Sequence, residues 1–359
     1  MTADKFACAV VFALFPAFLA VPAQQSVPPA FPLPAAAPPG HQIKLDVVVN
    51  TKSGQPVTGL HQQDFTILDN KTPRPITSFR VVTPAEEPVN VIVFIDAVNT
   101  PFQMVAYARN SIKTYLKAHE GVLAYPTAIA VLTDEGPQID NRFSTDGNAL
   151  SDELESRQIG LREITRSSQW GGIDRLNICL KALDSLVNFA SSLPGRKMIL
   201  WISPGWPLLS GPQFLLTPKQ EDKIFGSVVD YSAKMRVANI ALYDINPFGV
   251  SESVGQANYY QVFLKGLAKP SNAQYGNLGL QVLAVHSGGL AIESNSDVTG
   301  MIQKCLADAE SWYEIAFEPL PADKPNEYHH IDVRVDQPGV IARARDGYYS
   351  NPVAVDPVR

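Results

Sequence analysis

"VNVIVFIDAVNT" (89–100) opens as a near-continuous run of apolar β-formers and closes on a carboxylate, an amide and a hydroxyl. A run without polar alternation describes a strand covered on both faces, as in a parallel sheet packed between helix layers. The polar end matters as much, because it delivers Asp96 to the C-terminal end of the strand, where open α/β sheets bind their ligands.

Outward from this strand, the pattern alternates. Residues 102–117 place Val105, Ala108, Ile112, Tyr115 and Leu116 at helical spacing, and "TAIAVLT" (127–133) is the next strand. "IDNRFS" (139–144) predicts an antiparallel return at a sheet edge, and "DGNALSDELESR" (146–157) a helix with Asp146 as N-cap. An amphipathic helix over 173–193 leads to a third buried strand, "MILWIS" (198–203), which "PGWP" breaks. A helix (218–236), a strand (237–245), a helix (258–286), a last strand (288–294) and a helix (298–309) complete the series. Alternation over 88–309 predicts an α/β fold with a doubly wound, mostly parallel sheet.

The flanks are different. Residues 41–85 and 310–350 show period-two alternation with turn residues between short strands. Neither has enough strands to bury a core alone. The expected arrangement is a small β-sandwich formed jointly by these N- and C-terminal segments, with the α/β unit inserted; two separate β appendages are the alternative. Residues 351–359 form a short tail.

The N-terminus carries Lys5, an apolar stretch and "VPA" before Gln24, which predicts a signal peptide over 1–23. A Pro/Ala-rich linker follows at 24–40. The expected location is outside the cytoplasm, secreted, periplasmic or at the cell surface, with no stable membrane span after cleavage; retention as an N-terminal anchor is the alternative. Cys179 and Cys305 sit at apolar helix positions, as small core residues or as a bridge. A net charge of -6 with no basic stripe gives no electrostatic basis for nucleic-acid binding.

In order along the chain, "FIDAVNT", the "GGID" turn before a long helix and "LWISPGWP" resemble a von Willebrand factor type A domain. "LDVVVNTKSGQPVTGLHQQDFTILDN", "NTPFQMVAYARNSIKTYL", "ALYDINPFGV", "GGLAIESNSDV" and "RARDGYYS" extend the resemblance to VWFA-related proteins of the type found in Acidobacteria, over about residues 41–350. The resemblance implies an exported protein that binds a ligand or partner. It also implies a Mg²⁺ site in which one loop supplies D-x-S-x-S, a second a Thr and a third an Asp; a hard cation with an open position then accepts a carboxylate from the partner. Here Asp96 and Thr100 match, but Val98 and Ile173 replace hydroxyl ligands, and Pro204 or Gly205 stands where the third loop needs its carboxylate. Ser203 is the remaining hydroxyl. The metal set is therefore Asp96, Thr100 and Ser203 in degenerate form, and the expectation is no cofactor, with Mg²⁺ binding as the alternative. Asp174 is expected to cap the following helix.

No nucleophile elbow, P-loop or dinucleotide fingerprint occurs, and the histidines lack ligand spacing. His329 and His330 alternate on a strand, so their rings go to opposite faces. No catalytic residue is assigned, and the chain is expected not to be an enzyme. "SPGWPLLSGPQFLL" (203–216) and "NPFGVSESVGQANYYQ" (246–261) leave buried strands at the same sheet edge. They nominate Trp206, Phe214 and Phe248, together with Asn99 of the loop after Asp96, as partner-binding loop residues; packing of the aromatic residues of 203–216 under the neighbouring helix is the alternative. The expected function is metal-independent interaction with a protein or an envelope or surface polymer; a Mg²⁺-dependent adhesin using Asp96 and Thr100 is the alternative, and an enzyme with an unrecognised site comes last.

Overall fold

The computed structural model describes residues 42–157, 169–209, 212–248, 260–293 and 295–352. The expected signal segment, the linker and residues 353–359 of the tail lie outside the described residues. Four strands come first: β1 (Ile43–Thr51), β2 (Phe65–Asp69), β3 (Thr72–Arg74) and β4 (Ile76–Val82). Then β5 (Val89–Asp96), α1 (Phe102–Lys117), β6 (Val122–Thr133), β7 (Gly136–Ile139), β8 (Ser144–Asp146), α2 (Gly147–Ser156) and α3 (Gln169–Ser191) begin the α/β part. It continues through β9 (Arg196–Ile202), α4 (Pro218–Val237), β10 (Ile240–Ile245), α5 (Tyr260–Lys265), α6 (Leu280–His286), β11 (Ala291–Ile292) and α7 (Val298–Leu306). The chain returns to β with β12 (Trp312–Phe317), β13 (Glu327–Val335), β14 (Val340–Arg343) and β15 (Gly347–Ser350).

The central sheet runs β11-β10-β9-β5-β6-β7, with β8 also on β6. Its pairs are parallel from β11 to β6, and β7 and β8 are antiparallel to β6. Every position of β5 is buried. Period two divides its side chains: Ile92 and Phe94 face a core with α3, α4 and α6, while Val91, Val93 and Ile95 face one with α1, α2 and α7. Each such fully buried side chain contributes about 1.5–3 kcal/mol. Cys179 lies in the first core and Cys305 in the second, so the sheet separates the two free thiols and no bridge forms.

The flanking strands make two antiparallel four-stranded sheets, β14-β1-β12-β4 and β15-β13-β2-β3. Each sheet interleaves strands from both ends of the chain, with Leu45 opposite Ile315 and Ile67 opposite Val333. They share one apolar core that includes Leu45, Ile67, Tyr313, Phe317 and Tyr348. Inside it Asp69 accepts hydrogen bonds from Tyr348 (2.7 Å) and the Leu320 amide (3.0 Å), and its other oxygen meets His329 Nδ1 at 2.9 Å. Alternation on β13 buries His329 and exposes His330.

Several boundaries differ from the sequence expectation. Residues 258–286 are not one helix: α5 and α6 are separated by short 3-10 turns, one of which starts at Pro270, which has no N–H for a continuing helix. The strand expected at 237–245 starts only at Ile240, because α4 runs to Val237 and Asn239 turns the chain at φ 50°. The last strand shrinks to Ala291–Ile292 at the sheet edge. Helix α3 begins at Gln169, which leaves Asp174 inside it rather than capping it. Asp146 does cap α2, accepting from the Asn148 and Ala149 amides at 3.0 Å. Among the described residues no helix is long and apolar enough to cross a membrane.

Burial alone would raise the Asp69 carboxyl, but hydrogen bonds from His329, the Leu320 amide and Tyr348 outweigh it and hold the group below its ordinary value of 3.8. A carboxyl depressed by folding stabilises the fold above its unfolded value and loses that contribution as pH falls through its folded value. Urea midpoints should therefore fall as pH drops below about 4, and Asp69→Asn should flatten that dependence.

Candidate functional site

The C-terminal end of β5 lies between β6 and β9, which places Asp96 at the centre of the sheet's upper edge. The residue is 0 % exposed. Its Oδ1 accepts the backbone N–H groups of Val98 (2.9 Å) and Asn99 (2.8 Å). Its Oδ2 accepts from Asn99 Nδ2 (2.8 Å), Ser203 Oγ (3.0 Å) and Trp201 Nε1 (3.2 Å). Register brings the indole here: Trp201 on β9 is paired with Phe94, and the two rings meet edge-on at 4.3 Å. A buried tryptophan N–H needs an acceptor, and Asp96 supplies it.

This donor set does not fit Mg²⁺. A carboxylate offers about four lone-pair sites, and five protein donors already address them. The indole nitrogen is a donor only, whereas the cation wants an octahedron of oxygens. Val98 and Ile173 both face the apolar core shared with α3, α4 and α6. Thr100 is buried in the same loop, so Asp96, Thr100 and Ser203 occupy one region, with Asp96 and Ser203 bonded directly. Asn99 is also buried, and its amide reaches Cys179 Sγ on α3 at 3.0 Å, which ties the loop to that helix. Among the described residues no group of three or more His, Cys, Asp or Glu has metal-holding geometry.

Two more carboxyls stand nearby. Burial pushes Asp244, at the end of β10, well above its ordinary range, with the charges of Glu293 and Asp96 adding to the effect and a hydrogen bond from Gln281 opposing it. Burial likewise raises Glu293. Gln281, buried on α6, leaves room only for glycine at 205: a Cβ there would meet Gln281 Nε2 at 2.4 Å, and Gly205 has φ +101°. The result is a tightly packed polar floor.

The expected aromatic anchors divide. Trp206 is 4 % exposed and packs edge-on against Trp201 at 5.1 Å, so it belongs to the core beneath its loop and is no surface anchor. Proline and glycine on either side turn the ring inward, where apolar area is covered. Phe214 is half-buried against Tyr275 (6.2 Å) and lines a cavity of about 510 Å³ with Leu209, Leu216, Phe263 and Tyr275. Leu215 and Val262 also line it and are 76 % and 67 % exposed. Phe248 is half-buried, with its N–H on Asn246 Oδ1 at 3.0 Å. Residues 249–259 of its loop are outside the described residues.

The fold also assembles a Ser–His–Asp chain that the sequence did not signal. His286 Nε2 meets Ser232 Oγ at 2.9 Å, and Nδ1 bonds Asp346 Oδ1. Ser232 and His286 are buried, with the rings of Tyr328 and Tyr349 about His286 at 6.0 and 5.9 Å. With Ser232 and His286 buried, this arrangement ties α4 and α6 to the β14–β15 connection.

No family model matches this chain, and no curated protein is similar to it. Solved structures similar to it include the PilB minor pilin from Streptococcus sanguinis, at 9% identity and TM-score 0.36, covering 66% of this chain and 63% of the pilin. The pilus adhesin SpaC from Lactobacillus rhamnosus GG matches at 8% identity and TM-score 0.33, over 83% and 42% of the two chains. The human COPII-coat protein Sec24c matches at 8% and 0.33, over 76% and 46%. The chain spans somewhat under two thirds of the pilin's length.

Removing the Asp96 carboxylate strands several buried donors at once. Asp96→Ala should lose about 3 kcal/mol or more in urea unfolding, against about 1 kcal/mol for Ser203→Ala, which removes one donor.

Proposed function

We propose that this chain is an exported von Willebrand factor type A-like protein that binds another protein through the loops beyond the C-terminal ends of its central sheet, with no metal in the contact and no catalytic role. In this reading the two flanking sheets form one β-sandwich into which the α/β unit is inserted. The observation that carries the proposal is the exposure of Leu215 and Val262 over the cavity lined by Phe214 and Tyr275. Large apolar side chains grouped at the rim of a concave site mark an interaction surface, and an apolar side chain of the partner fits such a cavity. The connections that build it leave the C-terminal ends of β9 and β10, where open α/β sheets place their ligands. Metal-independent binding is supported by the five donors on Asp96. A surface polymer is the other candidate occupant.

The test is capture from the organism's envelope with the wild type and the Leu215→Ser/Val262→Ser double variant, both checked for folding. The expected outcome is a protein retained by the wild type and lost by the variant. Equal retention by both would remove the loop surface from the interaction, and retention of polymer alone would replace the protein partner. In parallel, Mg²⁺ should leave the Tm of the wild type unchanged. A stabilisation by Mg²⁺ that Asp96→Asn abolishes would instead favour the metal-dependent adhesin.

A further inference from the structure

At the opposite, N-terminal edge of the central sheet, a second cavity of about 400 Å³ opens where β9 and β10 meet the β14-β1-β12-β4 sheet. Six basic side chains line it against three acidic ones. The acids are already engaged. Arg80 bonds Glu87 and Glu314 at 3.1 Å each, and Lys44 lies 3.5 Å from Glu314. Asp46 sits 4.0 Å from Arg196, whose guanidinium also donates to the Asp308 carbonyl (3.1 Å) and covers the Trp312 ring at 5.0 Å. Lys197 Nζ is held by the Leu193 and Gly195 carbonyls at 3.0 and 2.7 Å.

Arg236, on the last turn of α4, and Arg345, on the β14–β15 connection, remain. Among the described residues neither guanidinium has a carboxylate within ion-pair distance, and Arg345 Nη1 is buried with no hydrogen-bond partner. Burial, reinforced by the charge of Arg236 and opposed by the charges of Asp46 and Asp346, lowers Arg345 to about 10, and burial lowers Arg236 as well. An arginine is kept half-sealed beside another cation only at an electrostatic cost, which a counter-ion removes. The guanidinium fork matches the paired oxygens of phosphate and carboxylate.

We infer that this cavity is an anion site in which Arg236 and Arg345 hold the phosphate or carboxylate group of a small polyanion. It lies across the sheet from the loop surface and does not depend on that surface binding anything. A polyanion here bridges the α/β unit to the flanking sheet, since Arg236 belongs to one and Arg345 follows a strand of the other.

Isothermal titration of the full chain with inorganic phosphate, and separately with succinate, tests this against sodium chloride at matched ionic strength. Saturable binding of phosphate or of succinate is expected, and the arm that binds identifies the group. Arg345→Gln and Arg236→Gln should each weaken it by roughly tenfold or more, while Arg334→Gln, an exposed arginine on β13, should leave it unchanged. If Arg345→Gln does not fold, Arg236→Gln at the helix end carries the test. No saturable signal with either probe overturns the inference, as does unchanged binding in the folded variants or an equal loss in Arg334→Gln.

Discussion

Burial of β5 on both faces is the constraint from which the rest follows. Its side chains alternate between two cores, so helices must cover both sides, and a parallel sheet with crossover helices is the arrangement that provides them. Parallel order then places the C-terminal ends of β11, β10, β9, β5 and β6 at one edge. Asp96 and Asp244 meet there, with Ser203 just past β9, although they are far apart in the chain. The cavity lined by Phe214 and Tyr275 is built by connections from the C-terminal ends of β9 and β10, and the one lined by Arg236 and Arg345 lies at the N-terminal ends of the same strands.

At the upper rim, the Asp96 carboxylate organises the structure around it. Its oxygens are addressed by the loop that follows β5 and by the tryptophan and serine of β9, so one side chain locks two strands' exits together. The same saturation closes the position to a hard cation. The loops above present Leu215 and Val262, both largely exposed, beside the cavity lined by Phe214 and Tyr275.

At the lower rim the two parts of the chain are joined by polar contacts. Asp308 receives Tyr243 from β10 and pairs with Arg343 from β14, and its carbonyl takes Arg196 from β9. His286 and Asp346 make a parallel tie from α6 to the β14–β15 connection. Such buried pairs favour one docking geometry, because any other leaves charges without partners. Arg236 and Arg345 are what this joint leaves over.

Much of this was legible in the sequence. The two-sided run at 89–96, the helical spacing of 102–117 and the N-cap at Asp146 are local signals, carried by residues within one turn or one strand of each other. So was the absence of a side-chain oxygen at 98 and 173, which residue type alone declares. The break at Pro270 was also visible, but the apolar spacing on either side of it reads as one helix until packing separates the pieces. What the tertiary structure alone decided is who partners whom: Trp201 with Asp96, Trp206 with the core instead of solvent, His286 with Ser232 and Asp346, and, among the described residues, no carboxylate within ion-pair distance of Arg236 or Arg345. Periodicity is a property of neighbours along the chain, whereas a hydrogen bond between residues a hundred positions apart depends on strand register and on which way a loop turns.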